Sequence, residues 1–350
     1  MLKKIAISIS TTLLLLGAVV IWLFSFVPSD QQRSHLQTAQ AEDLSYLQNR
    51  VELTRGRILA VITNVETFGN NKMTGYELTE LSRAYWVFAA NGFVVDFASP
   101  NGGKSPAILD ADDMGAYDYA FLNDQVIQKR VANAIKLSEV NPADYVALYF
   151  VGGKGTMFDF PEDTDIQYIT REMYQSGKVI SAVCHGPAAL INVQLDNGAY
   201  LLAGKKVTGF TNEEELFLIP GARNIFPFLL QDKLIARGAL FQEGAAYLEN
   251  VIQDGKLITG QNPWSTWKLA EMVILELGYE PIPRIRTAEE NTIDLLKVFE
   301  ARGYGEALQF LSSHQQDYES FLVLMHSIIA ISKWQVSKAF KLLMLANKVK

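Results

Sequence analysis

The residues with the clearest capacity for chemistry are Cys184 and His185, neighbours in the segment VISAVCHGPAAL at 179–190. A thiolate is a strong nucleophile and an adjacent imidazole can accept or return a proton, so the pair suits attack on a carbonyl or acyl carbon. An isolated cysteine is more often a small buried apolar residue. At the apex of a sharp strand-to-helix turn, however, its side chain is displayed, which favours a nucleophile here.

The elements around Cys184 follow from the residues on either side of it. The run 179–183 is apolar and β-branched, which predicts a buried strand. Gly186 and Pro187 then predict a turn, with a helix beginning near Ala188. The positive end of that helix would favour a thiolate, so we expect a lowered pKa for the cysteine.

Composition limits the other kinds of function. The chain has 350 residues, 49% of them apolar, and a formal net charge of −7. With no basic cluster in the middle of the chain, this acidity argues against nucleic acid as the main partner. One cysteine excludes an intrachain disulfide, and the four histidines lack the spacing of metal ligands, so no metal or other cofactor is expected.

Short apolar runs alternate with helical periodicity from residue 57 onward. The predicted strands are 58–63, 93–98, 145–151, 179–183 and 257–259, and the main predicted helices are 79–91, 126–137, 165–176 and 229–237. This alternation predicts an α/β fold, a parallel-sheet sandwich of flavodoxin-like type. Ligands bind beyond the carboxyl ends of such strands, so the loop after Thr63, the glycine loop 152–155 and Cys184 are expected at one site.

The amino-terminal part predicts a membrane anchor. Residues 1–27 contain two lysines followed by twenty-three residues without a charge, enough to span a bilayer as an uncleaved helix. The lysines place the amino terminus in the cytoplasm by the positive-inside tendency. The prediction is therefore a single-pass membrane protein with its folded domain on the non-cytoplasmic side, joined by a linker or stalk at 28–55.

A helical extension at 281–350 is predicted to follow a main domain at 56–280. Thr287 and Glu290 are spaced as a capping box, and the remainder has the pattern of three or four helices. The strongly apolar stretch 321–331 is too short to span a membrane, so it is expected to pack in a helical bundle. These helices suggest a protein partner, which the sequence does not identify.

Five segments, in order along the chain, resemble the ThiJ/PfpI superfamily. They are ASPNGG at 98–103, GGKGTMFDFPED at 152–163, AVCHGPAAL at 182–190, TGFTNEEE at 208–215 and LITGQNPWS at 257–265. The similarity covers roughly residues 56–280. Within the superfamily, the chain is most similar to the branch of glutathione-independent glyoxalases and stress chaperones. This resemblance implies a class I glutamine amidotransferase-like fold with a nucleophile elbow.

The resemblance implies roles for the residues at the elbow. Cys184 would be the nucleophile, and His185 would assist it. A glutamate near the start of the first long helix would contact the thiol. Its matching position is Glu80, with Glu77 as the less favoured candidate, although an exposed helical face is the ordinary interpretation of both.

An acid after the Thr-Gly-Phe segment would orient the histidine in this family. The matching position is Glu215, but Glu213 and Glu214 are close enough in sequence to leave the assignment open. Without the resemblance, all three would be interpreted as an acidic first turn of a helix.

The glycine loop is the expected place for substrate and oxyanion contacts. Gly152, Gly153, Lys154 and Gly186 are the candidate positions, with backbone N–H groups near Gly153 and the histidine holding the oxyanion. The family branch usually has histidine where Lys154 stands. Backbone contacts would tolerate this change, whereas a role for the histidine side chain would alter activity or substrate choice. The lysine charge would also lower the pKa of the thiol.

The predicted function is cysteine-dependent, cofactor-free chemistry on methylglyoxal or related reactive carbonyls, giving a 2-hydroxy acid, with deglycation sharing the first step. The domain 56–280 contains His185 as its sole histidine, which disfavours a glutamine amidotransferase with a distant histidine. The alternatives are a cysteine peptidase or amidase of the same fold, and a non-enzymatic chaperone or scaffold. Family members are often dimers, so a homodimer is also expected.

Overall fold

The structure is a computed structural model that describes residues 25, 26 and 30–349. These residues divide into two compact units. One is Leu36–Ile285, and the other contains the described residues up to His35 and those from Arg286 onward. All of the predicted site residues lie in the unit 36–285.

A seven-stranded sheet forms the centre of the unit 36–285. Its strands in chain order are β1 Arg57–Val61, β2 Val94–Ser99, β3 Ile135–Lys136, β4 Ala147–Phe150, β5 Val179–Val183, β6 Val251–Asp254 and β7 Leu257–Gly260. They lie in the order β6-β7-β5-β4-β1-β2-β3. Only the β6–β7 pair of this sheet is antiparallel. The predicted α/β parallel-sheet fold is therefore confirmed.

The remaining elements of this unit are shorter strand pairs and the helices between strands. The strand pairs are Thr67–Phe68 with Lys72–Met73, Tyr76–Glu77 with Ala107–Ile108, and Lys206–Val207 with Leu240–Phe241. The α-helices are Leu78–Ala90, Ala116–Asn123, Gln125–Val131, Thr156–Asp159, Thr164–Gln175, Asn212–Leu218, Ala222–Ile225, Leu230–Ala236 and Thr266–Glu276. The helix Asp30–Gln37 crosses the sequence boundary between the two units.

The order of the strands decides where a ligand can bind. The connection from β1 to β2 runs towards one edge of the sheet, and the connection from β4 to β5 runs towards the other. Because such crossovers are right-handed, the helices Leu78–Ala90 and Thr164–Gln175 cover opposite faces. The direction in which successive strands are added to the sheet thus reverses between β1 and β4. The two connections leave these neighbouring strands on opposite sides, which opens a crevice beyond their carboxyl ends.

Burial explains why the central strands are almost entirely apolar. All five residues of β5 are buried, as are Ile58, Leu59 and Val61 of β1. A parallel sheet with helices on both faces has no solvated side, so its strands are continuous apolar runs rather than alternating ones. This is why the sequence predicted these strands well.

The predicted helix at 126–137 is wrong in its second half. The helix Gln125–Val131 ends early, and the chain then forms β3, in which Ile135 pairs with Ala98 of β2. Pairing with the edge of the sheet therefore overrides the local helical periodicity. The preceding helix Ala116–Asn123 was not predicted.

Part of the segment predicted as a linker or stalk packs within the unit 36–285. Short 3₁₀ turns at Ala41–Asp43 and Ser45–Asn49 bury Leu44 and Tyr46. The side-chain amide of Asn91 donates a hydrogen bond to the Tyr46 hydroxyl over 3.0 Å. The chain is therefore attached to this unit well before β1 begins.

The second unit contains the predicted helical extension. Its carboxy-terminal helices are Ala288–Arg302, Tyr304–Ser313, Ser320–Ser332 and Val336–Val349. Thr287 and Glu290 form the predicted capping box: the Thr287 N–H donates to the Glu290 carboxylate over 2.9 Å, and its hydroxyl accepts from the Glu290 N–H over 3.2 Å. The last two helices pack against each other.

The predicted transmembrane helix and single-pass membrane localisation are corrected. Among the described residues, no helix has both the length and the apolar character needed to cross a bilayer. The longest described helix, Ala288–Arg302, has 15 residues. Its length is about 22 Å, against a hydrocarbon core of about 30 Å. Residues 1–24 and 27 of the predicted anchor lie outside the described residues. The fold class that the described residues support is α/β, with no membrane span among them.

Candidate active site

Cys184 lies at a strained turn directly after β5. Its φ of 57° is in the left-handed region, which non-glycine residues rarely adopt. The Cys184 N–H donates to the Gly260 carbonyl, and its own carbonyl accepts from the Phe210 N–H, each over 2.9 Å. These bonds on both sides of the residue hold the turn, as expected where backbone strain persists at a functional position.

The predicted helix after the elbow is only a 3₁₀ turn, Gly186–Leu190. Such a turn of five residues aligns few peptide dipoles, so it supplies little of the positive field that a long α-helix would provide. The expectation that a helix terminus lowers the pKa of Cys184 is therefore wrong.

The sheet register brings Gly152 beside Cys184. Phe150 of β4 pairs with Ala182 of β5, so the residues two positions further on are neighbours. A Cβ on Gly152 would lie 2.9 Å from the Cys184 Cβ and 2.5 Å from Glu80 Oε2, closer than real Cβ atoms come. Only glycine allows the thiol and the Glu80 carboxyl to meet here.

The N–H of Gly152 donates to Glu80 Oε2 over 2.7 Å. This N–H is therefore engaged by the Glu80 carboxyl. Gly186 packs tightly against the Phe150 carbonyl and, like Gly152, is absent from the described lining of the cavity at the site. Of the four predicted binding positions, Gly153 and Lys154 line that cavity.

Cys184, His185 and Glu215 form a linear hydrogen-bonded series. The Cys184 Sγ is 3.2 Å from His185 Nδ1, and His185 Nε2 is 2.6 Å from Glu215 Oε2. The imidazole and the carboxylate are 2% and 3% exposed. With the carboxylate accepting from Nε2–H, the unprotonated Nδ1 faces the thiol and can accept its proton.

The structure separates the three consecutive glutamates that the sequence left unresolved. Glu213 is exposed, whereas Glu214 and Glu215 are buried. Glu214 accepts hydrogen bonds from Thr211 and Tyr247 rather than from His185. Glu215 is thus the histidine partner, as the resemblance indicated.

The pKa values show that Cys184 and Glu80 favour their neutral forms. Burial raises the pKa of the Cys184 thiol, and the Glu80 carboxyl adds to this, while the charge of Lys154 opposes it. Burial and the nearby Glu77 raise the pKa of Glu80 well above the usual range, against the hydrogen bonds from the thiol and Gly152. Both shifts favour the neutral forms of the carboxyl and the thiol.

The pKa values of the two neighbouring carboxyls, Glu215 and Glu77, are shifted in opposite directions. Burial disfavours the charged form of Glu215, but the charge and hydrogen bond of His185 outweigh it and lower the pKa of Glu215. Burial raises the pKa of Glu77 to about 8, with Lys154 opposing the shift. Glu77 lines the same cavity, but Glu80 is the residue that contacts the thiol.

A cavity of about 400 Å³ opens onto the thiol. Its walls combine apolar and aromatic side chains with charged ones. The lining includes Phe68, Lys72, Met73, Glu77, Ile108, Asp110, Asp113, Phe210, Leu218, Tyr247 and Trp264. Phe210 and Trp264 lie in segments that carried the family resemblance, whereas Tyr247 had no sequence signal, because the fold alone brings its turn to the site.

The sheet, the strained cysteine turn and the buried carboxyls together define an α/β protein with a cysteine at a sharp turn after a central strand. The profile of the DJ-1/PfpI family matches residues 72–276. This match covers more than half of the chain, and the chain belongs to that family.

Relatives and a solved structure agree with this assignment. Glyoxalase 3 of Candida albicans is 35% identical over 235 residues, 62% of this chain and 96% of that protein. The glutathione-independent glyoxalase HSP31 of Saccharomyces cerevisiae is 34% identical over 230 residues, 61% of this chain and 94% of that protein. The crystal structure of glyoxalase III from Candida albicans has a TM-score of 0.57 at 30% identity, covering 63% of this chain and 97% of that one. These similarities support the predicted glyoxalase-like enzyme.

Proposed function

We propose that the chain is a glutathione-independent glyoxalase-like enzyme that converts a 2-oxoaldehyde such as methylglyoxal into a 2-hydroxy acid. The observation that carries this proposal is the contact of one thiol with both a base and a neutral acid. Cys184 Sγ lies 3.2 Å from His185 Nδ1, and the raised pKa of Glu80 keeps an exchangeable proton beside it. The names of the relatives support the same class of reaction.

The first step is addition of the thiol to the aldehyde carbon. The thiol proton moves to His185 Nδ1 as the sulfur–carbon bond forms, and the carbonyl electron pair moves onto oxygen. Glu215 stabilises the imidazolium. The backbone N–H groups of Gly153 and His185 donate to no acceptor within the described part of the chain, so they are the candidate donors for this oxyanion.

The second step moves a proton between the two carbonyl carbons. The oxyanion takes the Glu80 proton, giving a hemithioacetal, and the resulting carboxylate removes the hydrogen from the former aldehyde carbon. The imidazolium protonates the adjacent carbonyl oxygen, which leaves an enediol. Glu80 then returns its proton to the second carbon as His185 takes the hydroxyl proton of the first, and a thioester results.

Water completes the cycle by hydrolysing the thioester. Its oxygen bonds to the acyl carbon and the sulfur–carbon bond breaks, releasing the 2-hydroxy acid. One water proton restores the Cys184 thiol, and the proton held by His185 returns to Glu80. The scheme needs no external oxidant or reductant, because the oxidation of one carbon is balanced by the reduction of its neighbour.

The test is lactate formation from methylglyoxal by the purified full chain without glutathione, compared with Cys184→Ala. We expect turnover in the first protein and loss by at least about 10³-fold in the second. In D₂O the product should carry deuterium at carbon 2, since Glu80 exchanges its proton with solvent. Turnover that survives in Cys184→Ala, or an absence of turnover in the folded wild-type chain, would refute the proposal.

A further inference from the structure

We propose that Glu214 is a positioning residue that aligns the Cys184–His185 pair, although it contacts neither of them. It precedes Glu215 on the first turn of the helix Asn212–Leu218. The inference rests on the proposed role of Cys184 as the reactive thiol.

The Glu214 carboxylate is fully buried and is surrounded by donors alone. Oε2 accepts from the backbone N–H and the hydroxyl of Thr211, each over 3.0 Å. Oε1 accepts from the Tyr247 N–H over 2.7 Å, from the Gln261 amide over 3.1 Å and from the Asn262 amide over 2.9 Å. These five bonds join three segments that are distant in sequence at a single carboxylate.

The connection to Tyr247 reaches the wall of the cavity. The Tyr247 hydroxyl donates to the Glu214 backbone carbonyl over 2.7 Å, so this residue is held at both its main chain and its side chain. Its φ of 59° is again left-handed, a conformation that persists only where the surroundings impose it. Its ring packs against Phe210, which in turn lies 4.6 Å from the His185 ring between centroids.

Glu214 therefore acts on the histidine along two routes. Through the helix backbone it fixes the start of the turn that carries Glu215, whose carboxylate holds His185 Nε2. Through Tyr247 and Phe210 it supports the face of the imidazole. A carboxylate is the one side chain suited to this place, because a glutamine would direct an NH₂ group at donors that have nowhere else to bond.

The test compares Glu214→Gln with Glu213→Gln, the exposed neighbour on the same helical turn. Cys184 is the sole cysteine, so its alkylation by iodoacetamide reports the thiolate at each pH without depending on substrate turnover. For Glu214→Gln we expect roughly tenfold slower alkylation at pH 7, a midpoint moved to higher pH and a kcat loss of 10- to 100-fold. Glu213→Gln should match the wild-type chain.

A structural role alone would lower the unfolding temperature of Glu214→Gln and leave its alkylation profile unchanged, and this result would overturn the inference. If that variant does not fold, Asn262→Leu removes one of the five donors and keeps the carboxylate. We expect it to slow alkylation about threefold, and no change would again refute the inference. Altered alkylation in a chain that makes no lactate would instead refute the glyoxalase proposal while supporting this one.

Discussion

Glu80 and Glu215 are two buried carboxyls beside the same Cys184–His185 pair, yet the structure shifts their pKa values in opposite directions. Glu80 meets a thiol, one backbone N–H and the neighbouring Glu77, so burial prevails and the raised pKa favours its neutral form. Glu215 lies 2.6 Å from an imidazole, so its charged form prevails. The group that each carboxyl contacts, more than its depth of burial, therefore decides whether its pKa is raised or lowered.

Of the substitutions at these two carboxyls, Glu80→Gln should reduce activity the most. The amide oxygen still accepts the Gly152 N–H, but the side chain can no longer carry a proton between the two carbonyl carbons. We expect kcat for methylglyoxal to fall by about 10³-fold. Alkylation of Cys184 should become faster, because the carboxyl no longer adds to the raised pKa of the thiol. A loss smaller than tenfold in steady-state turnover would show that another group moves the proton.

The same variant tests the raised pKa of Glu80 through stability. A carboxyl with a raised pKa in the folded chain binds more protons there than when unfolded, so the unfolding free energy declines as pH rises from about 4.5 towards the folded pKa. Glu80→Gln lacks this group. Its stability in urea should decline less than that of the wild-type chain between pH 5 and pH 8, and an equal decline would contradict the raised pKa.

Glu215→Gln should have a smaller effect than Glu80→Gln. The amide can rotate and donate to His185 Nε2, which favours the tautomer with its proton on Nδ1, facing the thiol. A thiol is intrinsically more nucleophilic than a serine hydroxyl, so it depends less on a correctly oriented histidine. We therefore expect a loss of kcat/KM of about 10²-fold. Slower alkylation of Cys184 should accompany it, whereas unchanged alkylation would argue against the hydrogen-bonded series.

Lys154→Met should have the smallest effect of these substitutions, and it tests how a nearby charge shifts the pKa values in the site. The lysine charge opposes the rise in the pKa of both Cys184 and Glu80. Its removal should raise the pKa of the thiol, so the midpoint of the alkylation profile moves to higher pH by roughly half to one unit. Lys154→Arg, which keeps the charge, serves as the control. A midpoint that stays the same in Lys154→Met would mean that the ammonium group does not act on the thiol.

Much of the central sheet and of the candidate site was predictable from local patterns. The largely apolar runs 58–63, 145–151 and 179–183 predicted three strands, which the structure has at Arg57–Val61, Ala147–Phe150 and Val179–Val183. A parallel sheet covered on both faces requires such apolar strands. Cys184 and His185 were recognised because a strand followed by Gly-Pro predicts a turn. The helix predicted at 126–137 failed for a physical reason, since pairing with the edge of the sheet begins where the helical pattern still continues.

The charge states of the site were not predictable from those patterns. The sequence suggested a lowered pKa for Cys184, but the turn after it is a short 3₁₀ segment and the thiol lies against a buried carboxyl. Likewise, three adjacent glutamates differ in burial and partners only because Tyr247, Asn262 and His185 approach their helix from separate parts of the chain.

The sequence by itself determined the α/β class and the strand that ends in Cys184, because each depends on residues near one another in the chain. Tertiary structure alone decided which glutamate holds His185, which one stays neutral beside the thiol, and that Tyr247 forms a wall of the cavity. These outcomes depend on solvent exclusion and on distances between remote segments, and both arise only when the sheet register and the loops beyond it are in place.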